Sequence, residues 1–396
     1  MLREAVARHQ RGELDRAEAL YRRVLSRDPG ESNALNLLGT VLRQRGRVAE
    51  ALPLIRQALA LRPGAPVFLA SLGAALAEAG QLLPAVEALR AALRARPDDA
   101  ISLRNLGQAL AALGRVGEAL PPLRRAVTLL PQSPEARLAL AHACREAGLR
   151  EEAVSAARGA LSLPGLPESL RTQAAFLLAA LGEGAVPGRA PAAYVRELFD
   201  QYAPRFAEDL EGRLGYRTPA LLAALLREAG VAPDSSRGVL DLGCGTGLSG
   251  LALAPFARRL EGLDLSPRML AEAARAGCYA ALHEADLLDF LPRHPAAFDL
   301  VAAADVLNYL GELGPALRGA AAALRPGGLL AFSVETAVAG EEGYALGPGL
   351  RYRHAVPPLR ALLAGAGLTL LAEQAVTLRQ EQRRPVPGTL LLARAG

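Results

Sequence analysis

Apolar and polar positions keep two different rhythms along this chain. Up to about residue 182 they suggest paired helices; from Arg237 short apolar runs alternate with helical stretches. The first part repeats. Gly12, Gly46, Gly80, Gly114, Gly148 and Gly182 stand 34 residues apart, and so do Ala17, Ala51, Ala85, Ala119 and Ala153. Pro29, Pro63, Pro97 and Pro131 keep the same step, and Leu38-Gly39 recurs as Leu72-Gly73 and Leu106-Gly107. Each mark has a mechanical reading. The glycine ends a first helix where a left-handed backbone is needed. The alanine sits where the second helix crosses the first. The proline punctuates the end of the second helix, and Leu-Gly lets a neighbouring helix approach.

Beyond Arg237 the pattern predicts strands at 238–242, 259–264, 280–284, 298–303 and 329–334. Helices are predicted at 248–256, 267–276, 307–324 and 357–366. Two last strands, 368–378 and 389–393, follow without a helix between them, which predicts an antiparallel edge hairpin. Such alternation predicts a doubly wound, mostly parallel sheet. Between the two regions, 183–191 is rich in Gly and Pro and reads as a linker. Tyr194–Leu214 then gathers Phe199, Tyr202 and Phe206 in a chain that is only 4% aromatic.

The chemistry concentrates at predicted strand ends, where open α/β sheets bind ligands. Asp241-Leu242-Gly243-Cys244-Gly245-Thr246-Gly247 places glycines at alternate positions before a helix. Backbone N–H groups there favour an anionic group. The spacing is not the G-x-G-x-x-G of dinucleotide binders and points to a carboxylate-bearing nucleotide, with S-adenosylmethionine as candidate. Asp264 ends strand two and can accept hydrogen bonds from ribose hydroxyls. Asp286, after strand three, can take an adenine amino group, and Ala304 and Asp305, after strand four, face the methionine end. Alone, Asp241 also reads as a strand-end cap and Asp264 as an N-cap neighbour.

Charge and cysteine content change the picture little. The net charge is +5, every base is arginine, and residues 1–182 hold 24 Arg against 17 acids while 183–396 hold 21 against 23. No arginine run is interleaved with aromatics, which argues against nucleic-acid binding. The three cysteines are dispersed, which predicts neither a disulfide framework nor a metal site and fits a reducing cytoplasm. No signal peptide or membrane span is predicted.

Residues 1–182 resemble tetratricopeptide repeats: five repeats, the first lacking the start of its first helix, the fifth departing after Leu161, then a capping helix at Glu168–Leu181. Such an α-solenoid implies a protein partner on its concave face, with Arg43 and Arg104 as candidates for its acidic groups. Residues 237–334 resemble class I S-adenosylmethionine-dependent methyltransferases. This implies a Rossmann-like α/β domain over 192–396 with a mostly parallel seven-stranded sheet. By that resemblance Gly243 and Gly245 support the methionine portion, within a loop that includes Cys244 and Gly247. Asp241 helps hold its amino group, Asp264 the ribose and Asp286 the adenine, and Leu265, Met269 and Leu287 pack on the ring. The stretches Leu198–Phe206, Leu214–Pro219, Arg351–His354, Leu378–Glu381 and Pro385–Gly388 resemble a group of predicted bacterial methyltransferases, several of which carry such repeats.

The acceptor side is less determined. His354 is a candidate general base, with a structural histidine as the alternative. Tyr202 and Asp305 are further catalytic candidates. Arg205, Asn308, Arg351, Tyr352 and Arg379 are substrate candidates, the arginines for a carboxylate or phosphate. The expected activity is methyl transfer to an O or N of an unidentified small or carrier-bound anionic acceptor. The alternatives are a protein methyltransferase whose repeats recruit the target, and a cofactor-binding scaffold without turnover.

Overall fold

The computed structural model describes residues 1–203, 216–381 and 384–396. They form two compact units, Met1–Ala174 and Ala175–Gly396.

The first unit is helical. Its helices are α1 (Leu2–Gln10), α2 (Leu14–Arg27), α3 (Ser32–Gln44), α4 (Val48–Leu61), α5 (Pro66–Glu78), α6 (Leu82–Ala95), α7 (Ala100–Ala112), α8 (Val116–Leu129), α9 (Pro134–Glu146) and α10 (Arg150–Leu161). They pair successively as five repeats. Each of the six glycines spaced by 34 has φ between +74° and +79°. At Gly80, for example, its own N–H donates to Ala77 O and the next N–H donates to Leu76 O, at 3.0 and 2.9 Å. That closes the carbonyls left open at the helix end. The five alanines of the repeat are completely buried.

The Leu-Gly pair acts within one repeat. A Cβ on Gly73 would stand 2.5 Å from Leu89 Cγ and 3.2 Å from Ala85 O, both on α6; Gly39 meets Ile55 and Ala51 in the same way. Valine at 73 is therefore expected to cost roughly 3 kcal/mol by overpacking, lowering the midpoint of chemical unfolding of the full chain. Gly117→Ala, on α8 with nothing within 4 Å of the new Cβ among the described residues, should instead gain up to about 1 kcal/mol. Helix α11 (Glu168–Ala180) carries the boundary between the units, after Ala174. Arg43, expected to be open to a partner, is paired with Glu78 of α5.

The second unit is a sheet covered on both faces. Its strands are β1 (Arg237–Leu242), β2 (Ala257–Asp264), β3 (Ala281–Glu284), β4 (Phe298–Ala303), β5 (Leu324–Thr336), β6 (Tyr344–Leu346), β7 (Tyr352–His354), β8 (Leu368–Glu381) and β9 (Arg384–Ala395). Seven of them run in the order β3-β2-β1-β4-β5-β9-β8. The first five are parallel; β9 pairs antiparallel with both β5 and β8. The expected edge hairpin is thus present. The small β6/β7 hairpin, not foreseen, joins the tip of β5 through Glu335 and Thr336.

Alternate residues of each inner strand feed two cores. Leu240, Leu242, Val301, Ala303, Leu330 and Phe332 face one side; Val239, Leu300, Ala302, Leu329 and Ala331 face the other. The first core is covered by α17 (Gly314–Ala323) and α18 (Val356–Gly365), the second by α13 (Thr218–Glu228). Burial on both faces explains why these strands read as continuous apolar runs.

Two expectations are corrected by one feature. The single helix expected over 307–324 is a 3-10 turn at Leu307–Tyr309, then an extended Leu310, then α17. The segment expected as a linker causes the break. Arg189 bridges antiparallel to Leu310, Ala190 N donates to Tyr309 O, and Gly311 N and Glu312 N both donate to Gly188 O at 2.8 Å. Tyr352 Oη adds a hydrogen bond to Pro187 O at 2.6 Å. Residues 187–190 therefore form a strap on the second unit.

Candidate active site

The order of strand addition reverses between β1 and β4, which stay parallel, and a cavity of about 330 Å³ opens at the carboxyl ends of β1 to β4. The glycine loop forms its floor. Gly243, Gly245 and Gly247 have φ of +63°, +53° and +96°, a region that L-residues rarely enter. A Cβ on Gly243 would lie 2.7 Å from Val306 Cβ, so the loop also needs glycine for close approach. Gly247 caps α14 (Leu248–Leu253). Gly243, Cys244 and Gly245 line the cavity; Cys244 N is tied to Leu263 O at 2.9 Å, which stitches the loop to β2.

Asp264 stands beside this loop. Its Oδ2 accepts from Gly245 N at 3.0 Å and its Oδ1 from Ser266 N at 2.8 Å. Burial nonetheless pushes its carboxyl above the ordinary range, so an added donor is welcome there. Ser266 caps α15 (Pro267–Arg275) through Met269 N, and its own hydroxyl donates to Asp200 at 2.6 Å. Asp200 lies on α12 (Ala192–Tyr202), so this helix is pinned next to the cavity. Leu265, Leu287 and Ala304 line the cavity, whereas Met269 is completely buried and is not among its lining residues. Asp286 also lines it. Its Oδ1 caps the short helix α16 (Leu287–Phe290), and its Oδ2 pairs with Arg189 from the strap.

Asp241 is behind the loop rather than in it. It is fully buried, and its Oδ2 accepts from Ser249 Oγ and Tyr279 Oη, both at 2.6 Å. Its Oδ1 has no partner among the described residues. Burial pushes the carboxyl up to about 7 from an ordinary 3.8. An acid raised in the folded state is ionised first in the unfolded chain. Its presence therefore lowers stability as pH rises from about 4 to about 7, after which the loss is constant. Asp241→Asn should remove this dependence, so the variant should gain on the wild type between pH 5 and pH 8 in thermal unfolding; superimposable pH profiles would contradict it.

At the far end Asp305, with φ +59°, holds its backbone N–H on Ser333 Oγ at 2.8 Å. Its carboxylate receives Arg379 Nη1 at 3.0 and 2.7 Å. Arg379 also pairs with Glu335 and with Glu381, and Arg351 bridges the same two glutamates. Both arginines line the cavity, yet neither is a spare cation: internal carboxylates already take them. The arginines expected as a clamp for an anionic substrate thus carry internal carboxylates. Burial acts to raise Glu335, but the two guanidiniums hold it below the ordinary glutamate range.

Two further candidates sit elsewhere. His354 is 4% exposed, does not line the cavity, and hydrogen-bonds through Nε2 to Gly311 O at 3.2 Å. Burial lowers its pKa to about 4. It stands on β7 outside the cavity lining, tied to the backbone at Gly311. Tyr352 is completely buried against Phe176 and Tyr344, and its hydroxyl holds the strap. Tyr202 and Asn308 line the cavity. Arg205 lies outside the described residues. Sequence reasoning missed Arg189, Tyr216, Tyr279 and Glu335. Arg189 and Tyr216 line the cavity, while Tyr279 holds Asp241 and Glu335 holds Arg351 and Arg379.

Residues 239–328 match the methyltransferase domain family, and residues 2–66 and 71–134 match the tetratricopeptide repeat family. The chain joins tetratricopeptide repeats to a methyltransferase domain. A ubiquinone biosynthesis O-methyltransferase of Sodalis glossinidius (strain morsitans) is 30% identical over 142 residues, 34% of this chain and 56% of that protein. A trans-aconitate 2-methyltransferase of Pseudomonas aeruginosa (strain UCBPP-PA14) is 38% identical over 133 residues, 29% of this chain and 47% of that protein. The chain thus spans about half the length of the curated relatives it matches. A solved 1,6-didemethyltoxoflavin-N1-methyltransferase of Burkholderia thailandensis, with 1,6-didemethyltoxoflavin and S-adenosylhomocysteine bound, is 22% identical. That match covers 54% of this chain and 93% of that one, with a TM-score of 0.42.

S-adenosylmethionine is the cofactor indicated for the methyltransferase domain, and the residues fit it. The glycine loop leaves room where a Cβ would collide, Asp264 offers a buried carboxylate beside it, and Asp286 a second one across the cavity. Among the described residues no cluster of His, Cys, Asp or Glu is suited to a metal ion, and no helix is long and apolar enough to cross a membrane.

Proposed function

We propose that this chain transfers a methyl group from S-adenosylmethionine to an O or N atom of a small or carrier-bound acceptor. The observation that carries the reading is Asp264. Its carboxylate is held by Gly245 N and Ser266 N at the mouth of the switch-point cavity, beside the positive-φ loop. Two carboxylates, Asp264 and Asp286, would take ribose and adenine donors, and the Gly243–Gly247 loop the methionine end. The cofactor supplies an activated methyl on a sulfonium. The chain supplies placement and a shielded space, with Phe199, Tyr202, Tyr216 and Tyr309 around the acceptor end. The relatives' printed names include small-molecule methyltransferases, which supports a small acceptor.

The repeats favour one addition: a protein contact that brings the domain to its acceptor or the acceptor's carrier. Incubating the full chain with methyl-labelled S-adenosylmethionine in a cell extract tests the reading. Label in a small-molecule or carrier-bound fraction, absent with Asp264→Ala, supports it. Label only in other proteins favours recruitment of a protein substrate through the repeats. No transferred label at all, with cofactor bound, leaves a binding scaffold and overturns the proposal.

A further inference from the structure

Methyl transfer by itself does not name an acceptor; the charge balance of the cavity's far wall narrows it. Three carboxylates (Asp305, Glu335, Glu381) face two guanidiniums (Arg351, Arg379), an excess of one negative charge. Five of the six guanidinium nitrogens are already engaged by these carboxylates. Arg379 uses Nε on Glu381, Nη1 on Asp305 and Nη2 on Glu335; Arg351 uses Nε on Glu335 and Nη2 on Glu381.

Acceptors are left over. Asn308 is 2% exposed and lines the cavity. Its Nδ2 donates to Asp305 Oδ1 at 2.9 Å and Glu335 Oε1 at 3.5 Å, and those two carboxylates set the orientation of the amide. Its Oδ1 therefore faces the other way, with no partner among the described residues. Glu381 also lines the cavity, and both arginines bind the same oxygen, Oε1. No hydrogen bond reaches its Oε2 among the described residues, and its side chain is 37% exposed. A buried acceptor without a donor, as Asn308 Oδ1 is, is destabilising, and a ligand N–H would satisfy it.

Resting on the methyltransferase reading, we infer that this wall is a subsite for an amine, recognised by Asn308 Oδ1 and Glu381 Oε2. An ammonium brings both the N–H donors and the positive charge that the wall lacks. Phe199, Tyr216 and Tyr309 also line the cavity, and aromatic rings attract cations. A carboxylate ligand would meet an excess of carboxylates and the unpartnered Asn308 Oδ1, while Arg379 is held by three internal carboxylates and Arg351 by two.

Ligand titrations on the full chain saturated with S-adenosylhomocysteine test this, with benzylamine and benzoate as size-matched probes. Benzylamine should bind at least about tenfold more tightly, some 1.4 kcal/mol. Glu381→Gln should cut that preference to about threefold or less on the same scale. Glu381→Asp, which keeps the charge, should retain the preference. Benzoate binding equal to or tighter than benzylamine overturns the subsite, and so does a preference unchanged in Glu381→Gln. Absence of benzylamine binding to the saturated chain overturns it too. Failure of S-adenosylhomocysteine itself to bind would instead strike the methyltransferase reading, so the two failures are separable.

Discussion

Replacing Asp264 by alanine is expected to abolish S-adenosylmethionine binding within the range of a titration, a loss of about a hundredfold or more. The size follows from the site. A ribose would donate to a carboxylate already oriented by Gly245 N and Ser266 N, and hydrogen bonds to a charged, buried acceptor contribute about 1.5–3 kcal/mol each. Alanine removes the acceptor and also frees the Gly245 N–H, so the loop loses one of its ties to the end of β2 and keeps the Cys244 N bond to Leu263 O. Stability should change little by comparison, because burial disfavours the Asp264 carboxylate in the empty site. Calorimetric titration beside a melting curve separates the two effects. Retained affinity in a folded variant would show that the ribose is bound elsewhere.

Arg379→Ala is expected to be the most destabilising single substitution in the second unit. Arg379 is 4% exposed and joins three carboxylates. Its removal leaves Asp305 and Glu335 buried with only Arg351 nearby. Breaking one side of a buried ion pair costs about 3–5 kcal/mol, or very roughly 10 °C in melting temperature for a unit of this size. The sign with pH is specific. Without the guanidinium, Asp305, already raised by burial, rises further and Glu335 rises from below its ordinary range, so the variant's deficit should shrink as pH falls towards 5 and widen towards 8. Arg379→Lys keeps one charge but not the fork, and should fall between. A deficit independent of pH would contradict the network.

These two substitutions differ in how far the sequence foretold them. The glycine loop, Asp264 and Asp286 were legible because each belongs to a local strand-to-helix junction, where spacing encodes geometry. The repeat marks were legible for the same reason: a left-handed glycine and a buried alanine recur wherever one helix turns back on another. The ion network was not. Arg379 meets Asp305 and Glu335 from 74 and 44 residues away, and in sequence it looked like a free cation for an anionic substrate. Tyr279 reaches Asp241 across 38 residues. The strap at 187–190 was hidden by its composition, since Gly and Pro mark a flexible link and a tight extended contact alike. His354 was a plausible base by type alone; its burial and its bond to Gly311 O are seen only in the fold.

Hydrogen–deuterium exchange of the full chain, with and without S-adenosylmethionine, tests the central claim most directly, because it reports both binding and place. Protection is predicted in the loop 243–249, around Asp264 to Met269, and around Ala285 to Leu288. No protection at saturating cofactor, or protection confined to residues 1–174, would contradict it.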